Sequence, residues 1–417
     1  MTSSFEETSL KRRVPLPVAL LVISLALPME LSFQISGLLI TMPRVVLLAM
    51  FVPVIIRMVQ SSRLFSYDYL LLGFAFWVFL ALTVNHGISK GIESGGVLAL
   101  EIIFSYFIAR TYLISPKEVI ATIKLLVIIV LIILPFVAVE TLSSHHFIHD
   151  FFASVTGVRY PMGYDARLGF LRAAGPFSHP ILLGVFSSSL IGLAWYGLWK
   201  EGKVKKLLRM GVLVVVSLTT LSSAPILLAI FQFIGILWNR IAGWFRQRWK
   251  FAIAGAASIY VFLLFWSSSS PVMVVLSRIT LSPATSYYRM LIWDYGTAEV
   301  SRNPVFGIGK HDWHRAVWMV TDSIDNFWLK EAMQYGIPAV ILIGLCTILI
   351  IRKMIKLMDS DVADDYKMVC RGWVVSMISL SLIGLTVDFF SSIHVFFYLM
   401  LGMGAALLNI ERTEMIK

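Results

Sequence analysis

Charged side chains are scarce in this sequence. Of its 417 residues only 14% are Asp, Glu, Lys or Arg, against 58% hydrophobic, where a soluble domain carries about 25% charged residues. That shortage excludes an ordinary water-soluble domain. Cysteine is nearly absent. Cys346 and Cys370 fall in or beside late apolar runs, so no disulfide framework is implied. The sequence has no Gly-rich phosphate loop and no strand pattern of basic and aromatic residues, which argues against nucleotide and nucleic-acid chemistry. Internal repeats and low-complexity tails are missing. The short alternating segments of a closed β-barrel do not dominate either.

What fills the chain instead is one apolar run after another, many of roughly 18 residues or more, the mark of membrane-spanning helices. The pattern predicts an all-α polytopic membrane protein, a single membrane domain over 1–417. About twelve spans are expected, near 15–34, 37–58, 68–86, 95–114, 118–140, 180–199, 207–222, 224–239, 251–268, 336–352, 370–388 and 391–410. The seventh and eighth share one run, broken only by Ser222, Ser223 and Pro225. The opening KRRVPLPVALLVISLALP mimics a signal peptide. More spans follow directly and no cleavage site stands out, so it reads as an uncleaved first span.

The formal net charge is +11. In a membrane protein this reflects basic cytoplasmic loops facing anionic lipid. Most Lys and Arg fall on alternate loops, around residues 11–13, 57–63, 110–117, 200–209, 240–250, 352–371 and 412–417, which puts both termini on the cytoplasmic side. Two long polar stretches then face outward: a first external loop at 141–179 and a larger one at 268–335, before the tenth span. Both are rich in arginine, and long loops escape the orientation rule, so those arginines need another explanation. The acidic patch Asp359–Asp365 reads as a solvated cytoplasmic face.

Several residues in these loops are candidates for chemistry. Arg172 stands in LRAAGPFSHP just before Pro180, which opens the sixth span, with Arg167 upstream and Gly175–Pro176 allowing a tight turn. A guanidinium at headgroup level can hold phosphate bidentately, or serve only as an interfacial anchor. Arg289 sits in SYYRMLIWDYG, where Tyr288, Met290, Ile292 and Trp293 suit a short amphipathic helix at the membrane surface. It would emerge near that helix's polar edge, as a ligand or as a snorkelling side chain. Asp325 precedes Asn326 at the foot of the tenth span. It can act as a general base or cap the following helix, and Asp322 and Asp312 are nearby rivals. His145 and His149 share one helical face, a spacing metal sites use, but no Cys or Glu cluster completes a site, so metal: none is the expectation. His179, beside Pro180, reads as a span-start residue. Glu30, Arg44, Glu101, Asp388 and His394 are expected inside the membrane, where charge is expensive. Glu30 and Arg44 could pair, and Asp388 and His394 could line the loops' cavity.

Taken together, RAAGPFSHPILLG, SYYRMLIWDYGTAEVSRNPVFGIG and DNFWLKEAMQYGIPA resemble three segments of the O-antigen ligase/polymerase superfamily of bacterial inner-membrane glycosyltransferases. These are an Arg–x–x–Gly…Pro segment opening a span, an Arg…Trp…Pro–x–x–Gly–x–Gly segment, and the ligase motif His–Asn/Ser/Gln, nine residues, Gly, two residues, Gly. Asp325 stands where ligases place His, and Ala339 where they place the second Gly. The resemblance implies a GT-C-like architecture, an active site on the periplasmic face and metal-independent inverting glycosyl transfer without a cofactor. The implied donor is a glycan on undecaprenyl pyrophosphate and the acceptor another glycan, with a ligase acting on lipid A–core or protein as the alternative. Arg172 and Arg289 would hold the pyrophosphate, Arg167, Asn326 and His179 would help bind substrate, and Asp325 would take the acceptor proton. Chain-length regulators and export proteins are further implied partners; nucleic acid is not. A transporter or flippase, or a structural assembly subunit, are the readings from other classes.

Overall fold

A computed structural model of the protein describes residues 13–242 apart from 36, 61–63 and 164–165, then 245, 250–251, 254–255 and 258, and residues 283–415 apart from 320. The span expected at 251–268 lies almost wholly outside the described residues. So do 268–282 of the larger polar stretch and several basic residues used above for orientation, Lys11, Arg12 and Arg63 among them.

The described residues are mostly helical. Seven helical runs are long and apolar enough to cross a membrane, or eight if the bent pair α2 (Met42–Ala49) and α3 (Phe51–Gln60) counts as one. One of the seven, Ser66–Tyr112, doubles back. Its first arm, α4 (Ser66–Lys90), reverses at Gly87, whose φ of 82° is open to glycine alone at little cost. A π-turn, Gly91–Gly95, then lies back against Thr83 and Phe79 and leads into α5 (Gly96–Tyr112). The two arms hold the spans expected at 68–86 and 95–114.

The first expected span is corrected. In place of a helix over 15–34 the chain forms α1 (Leu16–Ser24), only nine residues, about 14 Å at 1.5 Å per residue and under half a bilayer core. Pro28 disfavours helix in the residue before it. A 3₁₀ turn at Met29–Leu31 and an antiparallel hairpin, β1 (Phe33–Ile35) with β2 (Leu38–Ile40), follow instead. The remaining helices are α6 (Pro116–Ser143), α7 (Phe147–Thr156), α8 (Pro180–Gly197), α9 (Lys203–Thr219), α10 (Ser223–Ile241), α11 (Pro283–Arg302), α12 (Phe327–Tyr335), α13 (Ile337–Met358), α14 (Asp364–Ile383) and α15 (Ser392–Met415). The eleventh span thus ends at Ile383, not 388, and the residues beyond it form a turn.

Helices α8 and α15 occupy the centre. In their apolar windows 89% and 94% of residues are buried inside the protein, against 28% for α10. Around α8 pack α6, α9, α10 and α14, while α15 packs on α5. Lipid offers no hydrophobic drive for helix association, so small residues and hydrogen bonds supply it. Gln232 of α10 shows how: its Nε2 donates to the Ser188 carbonyl at 2.8 Å, and its Oε1 accepts from Gly192 N of α8 and from Ser376 Oγ of α14. Ser188 Oγ also meets Ser217 Oγ of α9 at 2.7 Å. Both cysteines are free and buried in this core.

This bundle gathers six connections at one end: the β1–β2 hairpin, the Gly87 turn, the stretch from α6 to α8, the α9–α10 turn, the stretch from α11 to α12, and the α14–α15 turn.

Candidate active site

The first wall of the site is the RAAGPF segment, and a carboxylate at the end of α6 holds it. Glu140, 2% exposed, accepts from Ala174 N and Gly175 N, each at 3.0 Å. Its other neighbour is His146 Nδ1. Burial lowers the His146 pKa, but the hydrogen bond and charge of Glu140 outweigh it and the net shift is upward. Next along the chain, Ala173 N donates to the Thr219 carbonyl at 3.1 Å. These bonds pin Arg172 against the α9–α10 turn. Its Nε donates to the Thr220 carbonyl at 3.1 Å and an Nη to Ser222 Oγ, while Arg167 donates to the Leu221 carbonyl at 3.2 Å. The Ser222–Ser223–Pro225 interruption is thus a platform that aims two arginines.

The second wall is α11. Its inward face carries Ser286, Arg289, Ile292, Gly296 and Glu299, at helical spacing. Arg289 therefore lies on the buried face, not at the polar edge expected from sequence. It is 6% exposed, and its Nε and Nη1 have no hydrogen-bond partner among the described residues. Burial pulls its pKa below the ordinary guanidinium value, with Asp325 opposing and Arg167 adding to the shift. A separate small core of Ile292, Trp313, Met319, Ile324, Leu329 and Met333 fixes this helix on α12. Glu299 closes the far end, accepting from His314 N, His314 Nδ1 and Asn303 Nδ2.

NPVFGIG lies backbone to backbone on the α12–α13 turn. Ile308 N donates to the Met333 carbonyl at 2.8 Å, Gly309 N to Gln334 at 2.9 Å, and Ile337 N to Pro304 at 2.8 Å. A Cβ on Gly336 would fall 2.0 Å from the Val305 carbonyl oxygen. The spacing of these glycines thus answers to backbone packing that holds α11 and α12 together.

The third wall begins where α12 does. Phe327 N donates to the carbonyls of Gly384 and Val387, and Trp328 Nε1 to that of Ser381, which locks α12 onto the α14–α15 turn. Asn326, not Asp325, caps α12, its Oδ1 accepting from Leu329 N at 2.9 Å. Asp325 accepts from Ser323 Oγ at 2.9 Å. One turn into α12, Lys330 Nζ reaches Asp388 Oδ2 at 2.5 Å. Burial raises the Asp388 pKa above the ordinary carboxylate value and Asp325 adds to this, while Lys330 and His394 oppose it.

These walls enclose a cavity of about 620 Å³, within the size range of small-molecule sites. Arg167, Arg172, His179, Arg289 and Asp325 all line it. Of the six residues the resemblance assigns to the site, only Asn326 does not, because its side chain is spent on the cap; His394, also expected to line the cavity, instead meets Glu101. His179 does two jobs: it lines the cavity, and its Nδ1 caps α8 by accepting from Ile181 N. Ser222, Lys330, Thr386 and Asp388 add to the polar lining, with Ser223, Thr321 and Ser323. Four basic side chains thus face two carboxylates, and Lys330–Asp388 is already paired. A buried cation without partners costs several kcal/mol, so this surplus fits an anionic ligand that Arg289 and its neighbours can grip.

Other expectations are corrected. Arg44 does not pair with Glu30. It reaches Glu101 at 2.7 Å, and Glu101 also meets His394 Nδ1 at 3.1 Å. Glu30 pairs with His149 at 2.9 Å, whose Nε2 lies 3.1 Å from the Phe177 carbonyl oxygen. His149 is therefore a brace between the N-terminal turn and the Arg172 segment, and His145 is exposed. Among the described residues no three His, Cys, Asp or Glu side chains gather as metal ligands. Asp312 faces solvent beside Arg315, and neither it nor Asp322 lines the cavity. Sequence reasoning passed over Lys330, Ser222 and Glu140. Two carried a signal: Glu140, an acid at the end of an apolar run, and Ser222, which reads only as a break in one.

No protein-family model matches the sequence, and no curated protein matches it.

Proposed function

We propose that this protein is a membrane glycosyltransferase of GT-C-like architecture. On this reading it moves a glycan from undecaprenyl pyrophosphate to an acceptor glycan at the outer face of a bacterial inner membrane, as a polysaccharide polymerase. The observation that carries the reading is Arg289, which lines a cavity with Arg172 and Arg167 and has two buried guanidinium nitrogens without a hydrogen-bond partner among the described residues. The three motif segments and the distribution of Lys and Arg add to it.

Transfer on this reading needs three things. The pyrophosphate must be held, and the arginines do so through charge-assisted, bidentate hydrogen bonds. The negative charge that grows on the leaving pyrophosphate must be stabilised, and cations fixed in a buried site do this at no cost of reorganisation. The acceptor hydroxyl must lose a proton as its oxygen attacks carbon 1, and Asp325 and Asp388 are the carboxylates of the cavity. The sugar–pyrophosphate bond itself supplies the driving force.

The test is binding of undecaprenyl pyrophosphate to the purified full chain, beside the glycan pools of the source cell. Arg289→Met should weaken binding at least 100-fold, in line with about 3 kcal/mol for a buried charged contact. In cells it should abolish polymer while single lipid-linked repeats accumulate. Lipid-linked polymer that never reaches a final acceptor would favour a ligase. Normal pools at normal protein level would sink the glycosyltransferase reading and put a transporter ahead.

A further inference from the structure

We propose that Asp388, held by Lys330 on the α14–α15 turn, is the group that takes the acceptor hydroxyl proton, with Asp325 serving instead as the counter-charge of Arg289. This rests on the glycosyl-transfer reading above.

The two carboxylates of the cavity differ in what they face. Asp325 is engaged by Ser323 Oγ at 2.9 Å and lines the cavity with Arg289, whose pKa its charge raises. A carboxylate there competes with a pyrophosphate for the same guanidinium. Asp388 stands on the α14–α15 turn, beside Thr386, Val387 and Phe390. Its Oδ2 is fixed by Lys330, and its Oδ1, buried from solvent until a ligand moves in, has no hydrogen-bond partner among the described residues. One held oxygen and one unengaged oxygen are what a positioned proton acceptor requires. The groups facing Asp388 are Lys330 from α12, His394 from α15 and Asp325 from the segment before α12. Burial is the largest influence on its basicity and increases it, which suits a base working near neutral pH.

The step balances. The acceptor oxygen forms a bond to carbon 1 of the donor sugar. The bond from carbon 1 to the pyrophosphate oxygen breaks, and its electron pair leaves with undecaprenyl pyrophosphate, which gains one negative charge. The hydroxyl proton passes to Asp388 and from there to solvent. The arginines hold the leaving group throughout, and Lys330 positions the base.

Four variants of the full chain decide the matter, with undecaprenyl pyrophosphate as the binding probe and the ratio of polymer to accumulated lipid-linked repeats as the readout of transfer. Asp388→Asn should bind the probe within about twofold of wild type and lose transfer about 100-fold or more, the lower range for removing a general base. Asp325→Asn should strengthen probe binding, because a competing carboxylate is gone, and cost transfer no more than about tenfold. Lys330→Met should keep the probe and move the acid limb of the pH–rate profile upward, because Asp388 loses the cation that favours its ionised form; Lys330→Arg should restore the limb. Retained probe binding certifies that each variant is folded. Transfer unaffected by Asp388→Asn, or the larger loss falling on Asp325→Asn, overturns the assignment and leaves the wider reading standing. Failure of the wild type itself to bind the probe overturns both.

Discussion

Arg110 and Arg289 are buried to the same degree, 7% and 6% exposed, yet the protein treats them in opposite ways. Arg110, at the end of the bundle away from the cavity, is satisfied. Its Nε and Nη2 reach the two Asp68 oxygens at 3.0 and 3.1 Å. Asp68 also accepts from Tyr106 Oη at 2.6 Å and from Phe65 N at 2.8 Å. Arg289 lines the cavity, and two of its buried nitrogens have no hydrogen-bond partner among the described residues. The first arrangement is what a structural ion pair needs: every donor of a buried charge answered within the fold. The second costs stability, and it makes sense if a ligand supplies the missing partner. Burial alone therefore does not separate structural from functional charge. Satisfaction does.

The sharpest way to break this contrast is to remove both arginines in turn. Arg110→Met leaves Asp68 buried without its cation and should destabilise the fold by about 3–5 kcal/mol, read as a large fall in thermal unfolding temperature in detergent. Arg289→Met removes an unpaired buried charge and should leave stability unchanged or raise it, while probe binding falls at least 100-fold. Equal losses of stability would erase the distinction. The supports of the two sites offer a smaller version of the same test. Glu140→Gln replaces an oxygen that accepts backbone N–H groups with an amide nitrogen that donates, and should cost about 1–3 kcal/mol. Probe affinity should fall with it, because Glu140 acts through the Arg172 segment.

How much of this was legible in the sequence follows the same division. Arg172, Arg289 and Asp325 stood out because they sit in two arginine-rich external loops, where the orientation rule does not account for charge, and in the segments that carry the resemblance. Their meeting in one cavity followed from two arginine-rich loops on the same side. Pairing was not legible. Glu30 and Arg44 sit on neighbouring segments and looked like partners, but Glu30 meets His149 at a separation of 119 residues and Arg44 meets Glu101 at 57. Hydropathy and spacing carry no information about such choices, which only packing makes. The glycines of NPVFGIG drew attention as a motif, and their reason, direct backbone contact with the Gly336 turn, is visible only in three dimensions. The first span misled because apolar composition continues past Ser24, whereas helix does not continue past Pro28.

Glu331 sharpens the comparison by pH. It neighbours Lys330 on α12, is 5% exposed and has an Oε2 without a partner among the described residues. Burial pushes its pKa from 4.5 up to about 7, with His394 and Lys330 opposing and Asp388 adding to the rise. A raised carboxylate pKa penalises the ionised form in the fold. Below about pH 4.5 the acid is protonated folded and unfolded alike, and it costs nothing. As pH rises from there through 7 the penalty grows to its full size, about 1–3 kcal/mol. Thermal unfolding measured from pH 4.5 to 8.5 should therefore show Glu331→Gln matching wild type at the acid end and exceeding it at the basic end. A constant offset across the range would mean the side chain contributes shape and not charge.

The smallest effect belongs to the exposed charges at the far end. Lys200 meets Asp365 with both side chains largely in water, 66% and 47% exposed. A pair so placed is screened by solvent and salt and contributes about 0–1 kcal/mol. Lys200→Ala should shift unfolding within that margin, leave probe binding unchanged, and lose even its small effect as salt is raised from 0.05 to about 0.5 M, where the Debye length falls well below 10 Å. Arg289→Met should keep its stability profile across the same range, because its guanidinium is shielded from the ions that would screen it. A salt-sensitive stability change at Arg289 would place that side chain in contact with bulk water and remove the ground for treating its missing partners as a ligand's place.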